Sequence, residues 1–334
     1  MKNNMQGKIL CFGELLLRMS PQDDWAAQGA LPFYIGGAEL NVATALANWQ
    51  LPVGYVTALP DNYLSDSLLQ YVSSKNIDAA HILKTNGRLG MYYLGEGHEI
   101  KSSGVVYDRE NSAFAGLKPG DIDWDAALKG CSWLHLSAIT PALNATVAAV
   151  CVEAAKAAAA RGITVSIDLN YRQKLWQYGV QPPVIMNDIL PYCNVVMGNI
   201  WSANSLLDVP CAADGTEPPS ELLELAKQSM AGIMQQYLGV HTCAYTFRMQ
   251  ANYWAVALQG GEVSVSGVYD TVNATGRVGS GDCFMAGLVY GLYTQNDAQY
   301  AVSFATAAAT GKLYEQGDAT TQTVDDVTKR MTNG

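Results

Sequence analysis

Basic residues are scarce in this chain. It carries 20 Lys and Arg against 30 Asp and Glu, a net charge of −10. A nucleic-acid partner needs a concentrated basic footprint, and this balance excludes one. An anionic small ligand must instead be met by a few positive groups placed locally. Charge of either sign is thin, at 15% of residues, while 49% are hydrophobic, ample for a sizeable core. Long unbroken apolar runs are missing: KILCFGELLLRM (8–19) is interrupted by Glu14 and Arg18, too soon for a membrane span. No small-residue cleavage site follows it, so it is a poor signal peptide. The seven cysteines are odd in number, scattered and never spaced C-x-x-C, which excludes a disulfide framework and a zinc site. The histidines, His81, His98, His135 and His241, share no ligand spacing, and no resident metal is expected. These absences predict a soluble protein with reduced thiols, placed in the cytoplasm.

Two phosphate-binding motifs are also absent. TAAATGKL (306–313) has Thr306 where a P-loop needs its first glycine, and no G-x-G-x-x-G follows the first strand. What is present is an alternation of strand-like and helix-like patterns. KILCFGELLLRM reads as a strand running on into an extended arm, AELNVATALANW (38–49) as a helix, and VGYVTAL (53–59) as a buried strand. DNYLSDSLLQYVSSKN (61–76) is an amphipathic helix with Asp61 as its cap. GMYYLGEG (90–97) and GVVYDR (104–109) are short, Tyr-rich and bounded by glycine, the pattern of a small antiparallel sheet added to the main body. WLHLSAI, ITVSIDL, NVVMGN and TCAYTFR are further strands, and residues 144–162 form an Ala-rich helix between Asn144 and Gly162. The alternation predicts an α/β fold with a mostly parallel sheet, helices on both faces, and ligands at the C-terminal strand ends.

Two stretches carry chemistry. VGSGDCFMAGL (278–288) sets Gly279, Ser280 and Gly281 before a helix with Asp282 just behind them. Asp282 is either a helix cap or an acid acting on whatever attacks an anion held by the turn. IGGAELNVATAL (35–46) pairs Gly36 and Gly37 ahead of a helix carrying Asn41. That pair is either a tight helix entry or a backbone that a polyol approaches closely.

Together, IGGAELNVA and VGSGDCFMAG resemble the N- and C-terminal signatures of the ribokinase-like carbohydrate kinases, over essentially the whole chain. The resemblance implies one ribokinase-like kinase domain whose small β-sheet lid comes from about 14–36 and 88–114. It makes ATP with Mg²⁺ the phosphoryl donor, Asp282 the base, and the N–H groups of Gly279, Ser280 and Gly281 an anion hole. DLNYRQKLW (168–176) is similar to a segment of fructokinases and 2-keto-3-deoxygluconate kinases that places an Arg, here Arg172, toward the sugar. GMYY and VVYDR resemble lid strands of the second group and imply Tyr92, Tyr107 and Arg109 as substrate residues. Gly36, Gly37, Asn41 and Asn170 join them, and Asn199, Thr246 and Arg248, with Gly279 and Gly281, are the implied nucleotide contacts. A sugar acid carries a carboxylate, for which Arg is the suited donor, so 2-keto-3-deoxygluconate is the expected substrate. A fructokinase would need Arg172 but not Arg109.

Two positions depart from the family. Gly276 stands where an acid is usual, and Ser202 replaces the acid of an N-x-x-E motif that begins here at Asn199. A non-catalytic sugar-binding protein on the same fold is the rival these losses leave open. Exposed lid edges favour pairing with a second copy, so a homo-oligomer, a dimer through the lid, is expected.

Overall fold

The computed structural model of the chain describes residues 7–95, 104–249 and 251–333. His98 and the part of the expected lid at 96–103 lie outside them.

The body is built on a ten-stranded sheet in which Lys8–Phe12 lies between Cys131–Ser137 on one side and Val53–Val56, followed by Ile77–Asp78 at the edge, on the other. The order runs onward from Cys131–Ser137 through Thr164–Asp168 and Val195–Gly198 to Thr242–Met249, all parallel. Asn252–Gln259 and Glu262–Val265 then close that side as antiparallel strands. Two cores flank the sheet, one packed by helices such as Ala145–Ala159 and Pro219–Gln236, the other by Ala38–Asn48, Ser280–Thr294 and Ala298–Lys312. Strands buried on both faces read as near-continuous apolar runs, which is why VVMG and KILCF carry no alternation.

A second sheet has four strands in the order Phe33–Gly36, Leu16–Met19, Gly90–Tyr93, Val106–Asp108. The Tyr-rich pair is antiparallel, as the sequence predicts, but Leu16–Met19 runs parallel to Gly90–Tyr93. The 8–19 stretch is therefore two strands: it leaves the body sheet at Phe12, passes Gly13-Glu14-Leu15, and enters the small sheet at Leu16. Likewise 53–59 divides at Thr57, its second piece pairing with Leu83–Thr85.

Local end signals explain other boundaries. Asn62, not Asp61, caps the helix Tyr63–Ser74, its Oδ1 accepting the N–H groups of Leu64 and Ser65 at 3.1 Å. Asn144 Oδ1 accepts from Val147 N–H at 2.9 Å, and Gly162 follows the same helix at φ +67°. Among the described residues no helix is long and apolar enough to cross a membrane.

Candidate active site

The two sheets meet over a cavity of about 680 Å³, large enough for a sugar and a nucleotide's phosphates. One wall is the turn ahead of Ser280–Thr294. Gly279 is the N-cap of that helix at φ +78°, and a Cβ there would run into the Asp318 carbonyl, so only glycine fits. Asp282 is thus not the cap; it sits inside the first turn, buried. Cys283 N–H bonds back to Gly279 O at 2.8 Å, which leaves the N–H groups ahead of it outside the helix's own ladder. They form the positive end of the helix dipole. The Ser280 hydroxyl donates to Arg277 O at 3.2 Å and ties the turn.

Asn41, on the helix Ala38–Asn48, reaches across to this turn, its Nδ2 donating to Asp282 Oδ2 at 2.7 Å. Burial pushes the Asp282 carboxyl up to about 7, with Glu39 and Asp318 adding to the rise; the Asn41 hydrogen bond and the Arg172 charge hold it back. A carboxylate titrating near neutrality is matched to general-base work. The Asn41 Oδ1 is buried with no partner, an acceptor turned to no group of the described protein.

Gly37, at φ +136°, brings its backbone onto the Glu14 carbonyl and lies on the cavity wall. Gly36 does not line the wall. It faces the Asp318 carboxylate instead, where a Cβ would come within 2.5 Å of Oδ2.

Arg109 and Arg172 lie on the same cavity, and both bear electrostatically on the Tyr107 phenol. Arg109 is buried, and its partner is neither neighbouring acid: its Nε donates to Glu14 Oε2 at 2.5 Å, while Asp108 pairs with Arg88. Arg172 Nη1 donates to Tyr171 O at 3.1 Å, and its buried Nε has no partner. Tyr92 is the buried member of the Tyr92–Tyr93 pair and faces the cavity, its hydroxyl 3.4 Å from Asp318 Oδ2. Asn170 lines the wall beside Arg172.

At the other end, Asn199 caps Ile200–Leu207, so a second helix N-terminus opens on the cavity near Thr246 and Arg248 of the strand Thr242–Met249. Ser202, in place of the acid, closes a capping box: its Oγ accepts Asn199 N–H at 2.9 Å while Asn199 Oδ1 accepts Ser202 N–H at 2.8 Å. Its hydroxyl serves the helix. Gly276 has its own steric reason, since a Cβ there would come 2.6 Å from Glu315 O.

Five acids and five bases line the cavity of a chain with net charge −10, so the local positive groups demanded by the composition are gathered here. Two of those acids are already paired, Glu14 with Arg109 and Asp318 with Arg18. Three residues with evident roles are not among the expected site residues, although Glu39 lies within IGGAELNVA. Asp318 fastens the lid-side Arg18, which also stacks over Tyr34 at 4.2 Å. Glu14 fastens Arg109, and Glu39 accepts from Ser137 and Thr140 beneath the site, its pKa raised by burial. Glu14 and Glu39 leave one trace in the sequence, an acid set in an apolar stretch.

No cluster of three or more His, Cys, Asp or Glu suited to a metal occurs among the described residues. The arrangement accommodates a metal that arrives on a nucleotide, held mainly by phosphate oxygens and water.

An α/β body with a small covering sheet, a helix N-terminus opening on the cavity between them and a near-neutral carboxylate beside it define a phosphotransferase of the ribokinase-like fold. The chain belongs to the pfkB family of carbohydrate kinases, which matches residues 6–324, and is an ATP-dependent enzyme. It is 25% identical over 332 residues to a 2-dehydro-3-deoxygalactonokinase of Haloferax volcanii, covering 99% of this chain and 98% of that one. It is similar to the crystal structure of a 2-dehydro-3-deoxygluconokinase from Thermotoga maritima, with TM-score 0.87, 29% identity, and 99% and 100% of the two chains covered. A pfkB family carbohydrate kinase from Listeria grayi superposes with TM-score 0.85 at 27% identity, over 97% and 99%. Membership of a family of active kinases answers the non-catalytic alternative.

Proposed function

We propose that this kinase transfers the γ-phosphoryl group of Mg²⁺-ATP to the terminal primary hydroxyl of 2-keto-3-deoxygluconate, giving 2-keto-3-deoxy-6-phosphogluconate. The observation that carries the reading is that Arg109 and Arg172 lie on one cavity with Tyr107 and Asp282. Arg109 gives its Nε to Glu14, but Arg172 keeps a buried Nε with no partner, and a carboxylate rather than a neutral hydroxyl is the group that a guanidinium fork matches. The names of two relatives, a 2-dehydro-3-deoxygalactonokinase and a 2-dehydro-3-deoxygluconokinase, point to the same substrate class.

In this reading Asp282 takes the proton from the attacking hydroxyl, and Asn41 fixes its Oδ2 while offering Oδ1 to the sugar. The N–H groups of Gly279, Ser280 and Gly281 take charge that develops on the phosphoryl oxygens. Asn199, Thr246 and Arg248 hold the nucleotide phosphates. Tyr92, Tyr107, Arg109, Asn170 and Arg172 hold the keto-acid end, and Gly37 lets the sugar approach the backbone. Gly36 contributes by fitting Asp318. The whole chain acts as one kinase domain, with the small sheet and its flanks at 14–36 and 88–114 as the lid. Seven free cysteines suit the reducing cytoplasm. Phe33 and Val106, exposed at the two lid edges, support a dimer through that sheet.

The test is ADP release from Mg²⁺-ATP with 2-keto-3-deoxygluconate, its galactonate epimer, fructose and ribose, with Asp282→Asn and Arg109→Ala alongside. Turnover confined to the keto-deoxy acids, abolished by Asp282→Asn and selectively weakened by Arg109→Ala, is expected. Turnover with fructose alone, or an Arg109→Ala enzyme with full activity on the acid, overturns the substrate assignment.

A further inference from the structure

Lys312 ends the helix Ala298–Lys312 and is fully buried, one of the largest side chains with no exposure at all. Among the described residues no carboxylate lies within ion-pair distance of its ammonium. Its partners are two main-chain carbonyls, Gly317 O at 2.9 Å and Glu315 O at 3.3 Å. These lie just past a helix C-terminus, where the dipole favours a cation. Burying an ammonium without a counter-ion is costly. A site needing only volume is filled by Met or Leu at no such cost, so the charge itself has a use.

The segment gathered by that ammonium is the one on which the phosphate turn rests. Gly276 N–H donates to Leu313 O at 2.8 Å and Thr275 N–H to the same oxygen at 3.1 Å. Gly276 lies against Glu315 O, and Gly279 against the Asp318 carbonyl. The Lys312 Cε would itself stand 3.4 Å from a Cβ on Gly279. Lys312 does not line the cavity, so it touches no substrate.

We propose that Lys312 is a positioning residue for phosphoryl transfer: its ammonium acts as a tethered monovalent cation that holds the 313–318 carbonyls and, through them, the Gly279–Gly281 turn. A K⁺ or NH₄⁺ ion bound by carbonyl oxygens would do the same work, and the covalent tether removes the need for one. The inference rests on the assignment of that turn as the anion hole.

The first measurement uses the wild type. Its turnover with Mg²⁺-ATP and the best sugar acid should be unchanged when K⁺, Na⁺ and NH₄⁺ are all replaced by choline. Lys312→Met keeps the volume and loses the charge. We expect kcat to fall about tenfold or more, sugar KM to change by less than about twofold, and the thermal shift induced by Mg²⁺-ATP to shrink. Lys312→Ala leaves a carbonyl-lined space, and K⁺ or NH₄⁺ should restore its kcat saturably where choline does not. A wild type that requires an added cation overturns the proposal, as does full kcat in Lys312→Met. So does a folded Lys312→Ala whose loss no cation repairs. If neither variant folds, the wild-type cation swap decides. Failure of the kinase–substrate assignment is seen separately, as a wild type that turns over no sugar acid; the Mg²⁺-ATP shift in Lys312→Met then still reads the role of the lysine.

Discussion

Replacing Asp282, the proposed base, should make this protein more stable, by an amount that depends on pH. In the folded state Asp282 titrates at about 7, against an ordinary value of 3.8. The folded chain therefore keeps a proton that the unfolded chain releases, and between those two values each rise in pH costs the wild type stability. At roughly 1.4 kcal/mol per tenfold change in affinity, the penalty is about 4 kcal/mol at pH 8 and about 2 kcal/mol at pH 5. Asp282→Asn has nearly the same shape and does not ionise, and its amide oxygen still accepts from Asn41 Nδ2. The variant should therefore gain on the wild type by about 2–3 kcal/mol between pH 5 and pH 8, while ADP release is lost throughout. Urea unfolding of both proteins at pH 5, 6, 7 and 8, without ligands, reads this directly as a widening gap between midpoints. A gap that stays constant across that range, or a wild type that is the more stable at pH 8, would refute the reasoning, because it would mean the carboxylate is not held out of water in the folded chain.

The same titration governs rate: kcat/KM should climb about tenfold per pH unit below about 7 and level off above it, and a flat profile from pH 5.5 to 8 would remove Asp282 as the base. Gly279→Ala forces a left-handed φ on alanine and drives a methyl group toward the Asp318 carbonyl; a loss of at least about 1–3 kcal/mol in unfolding free energy and a large fall in kcat are expected, and a fully active, equally stable variant would contradict the close contact at that turn. Asp318→Ala strands the buried Arg18, which should cost about 3–5 kcal/mol, read from chemical denaturation; a cost under about 1 kcal/mol would place the pair among weak, solvated ones.

Much of the fold is legible because each end signal is local. Asn144 and Gly162 bracket their helix with a side-chain acceptor and a left-handed glycine, and both are plain in the sequence. The boundaries that sequence alone misplaces are those decided at a distance. Nothing within KILCFGELLLRM says that the chain changes sheets at Gly13-Glu14-Leu15; Gly90 and Ser112, far along the chain, receive Glu14 and set that break. Asp61 is as good a cap as Asn62 on composition, and only the backbone at Asn62, extended at φ −157°, decides between them. The site divides the same way. Asp282, Asn41 and Arg172 sit in recognisable motifs, whereas Asp318, Arg18 and Lys312 do not. Their meaning comes from contacts across the fold, such as the 300 residues separating Arg18 from Asp318. Arg109 is visible in the sequence as a charge, but its neutralisation by Glu14, 95 residues away, is not.

The small sheet is woven from two separate passages of chain, and one of its two inner strands, Leu16–Met19, is the direct sequel of the first strand of the body. Such a part cannot be lifted out as a cassette. A graft of residues 88–114 from a relative would bring two strands and leave behind the neighbour with which Gly90–Tyr93 pairs in parallel, along with Arg18 and its anchor in the body. An exchange of the small sheet in this chain would have to carry Leu16–Met19 and the Arg18–Asp318 anchor together with residues 88–114.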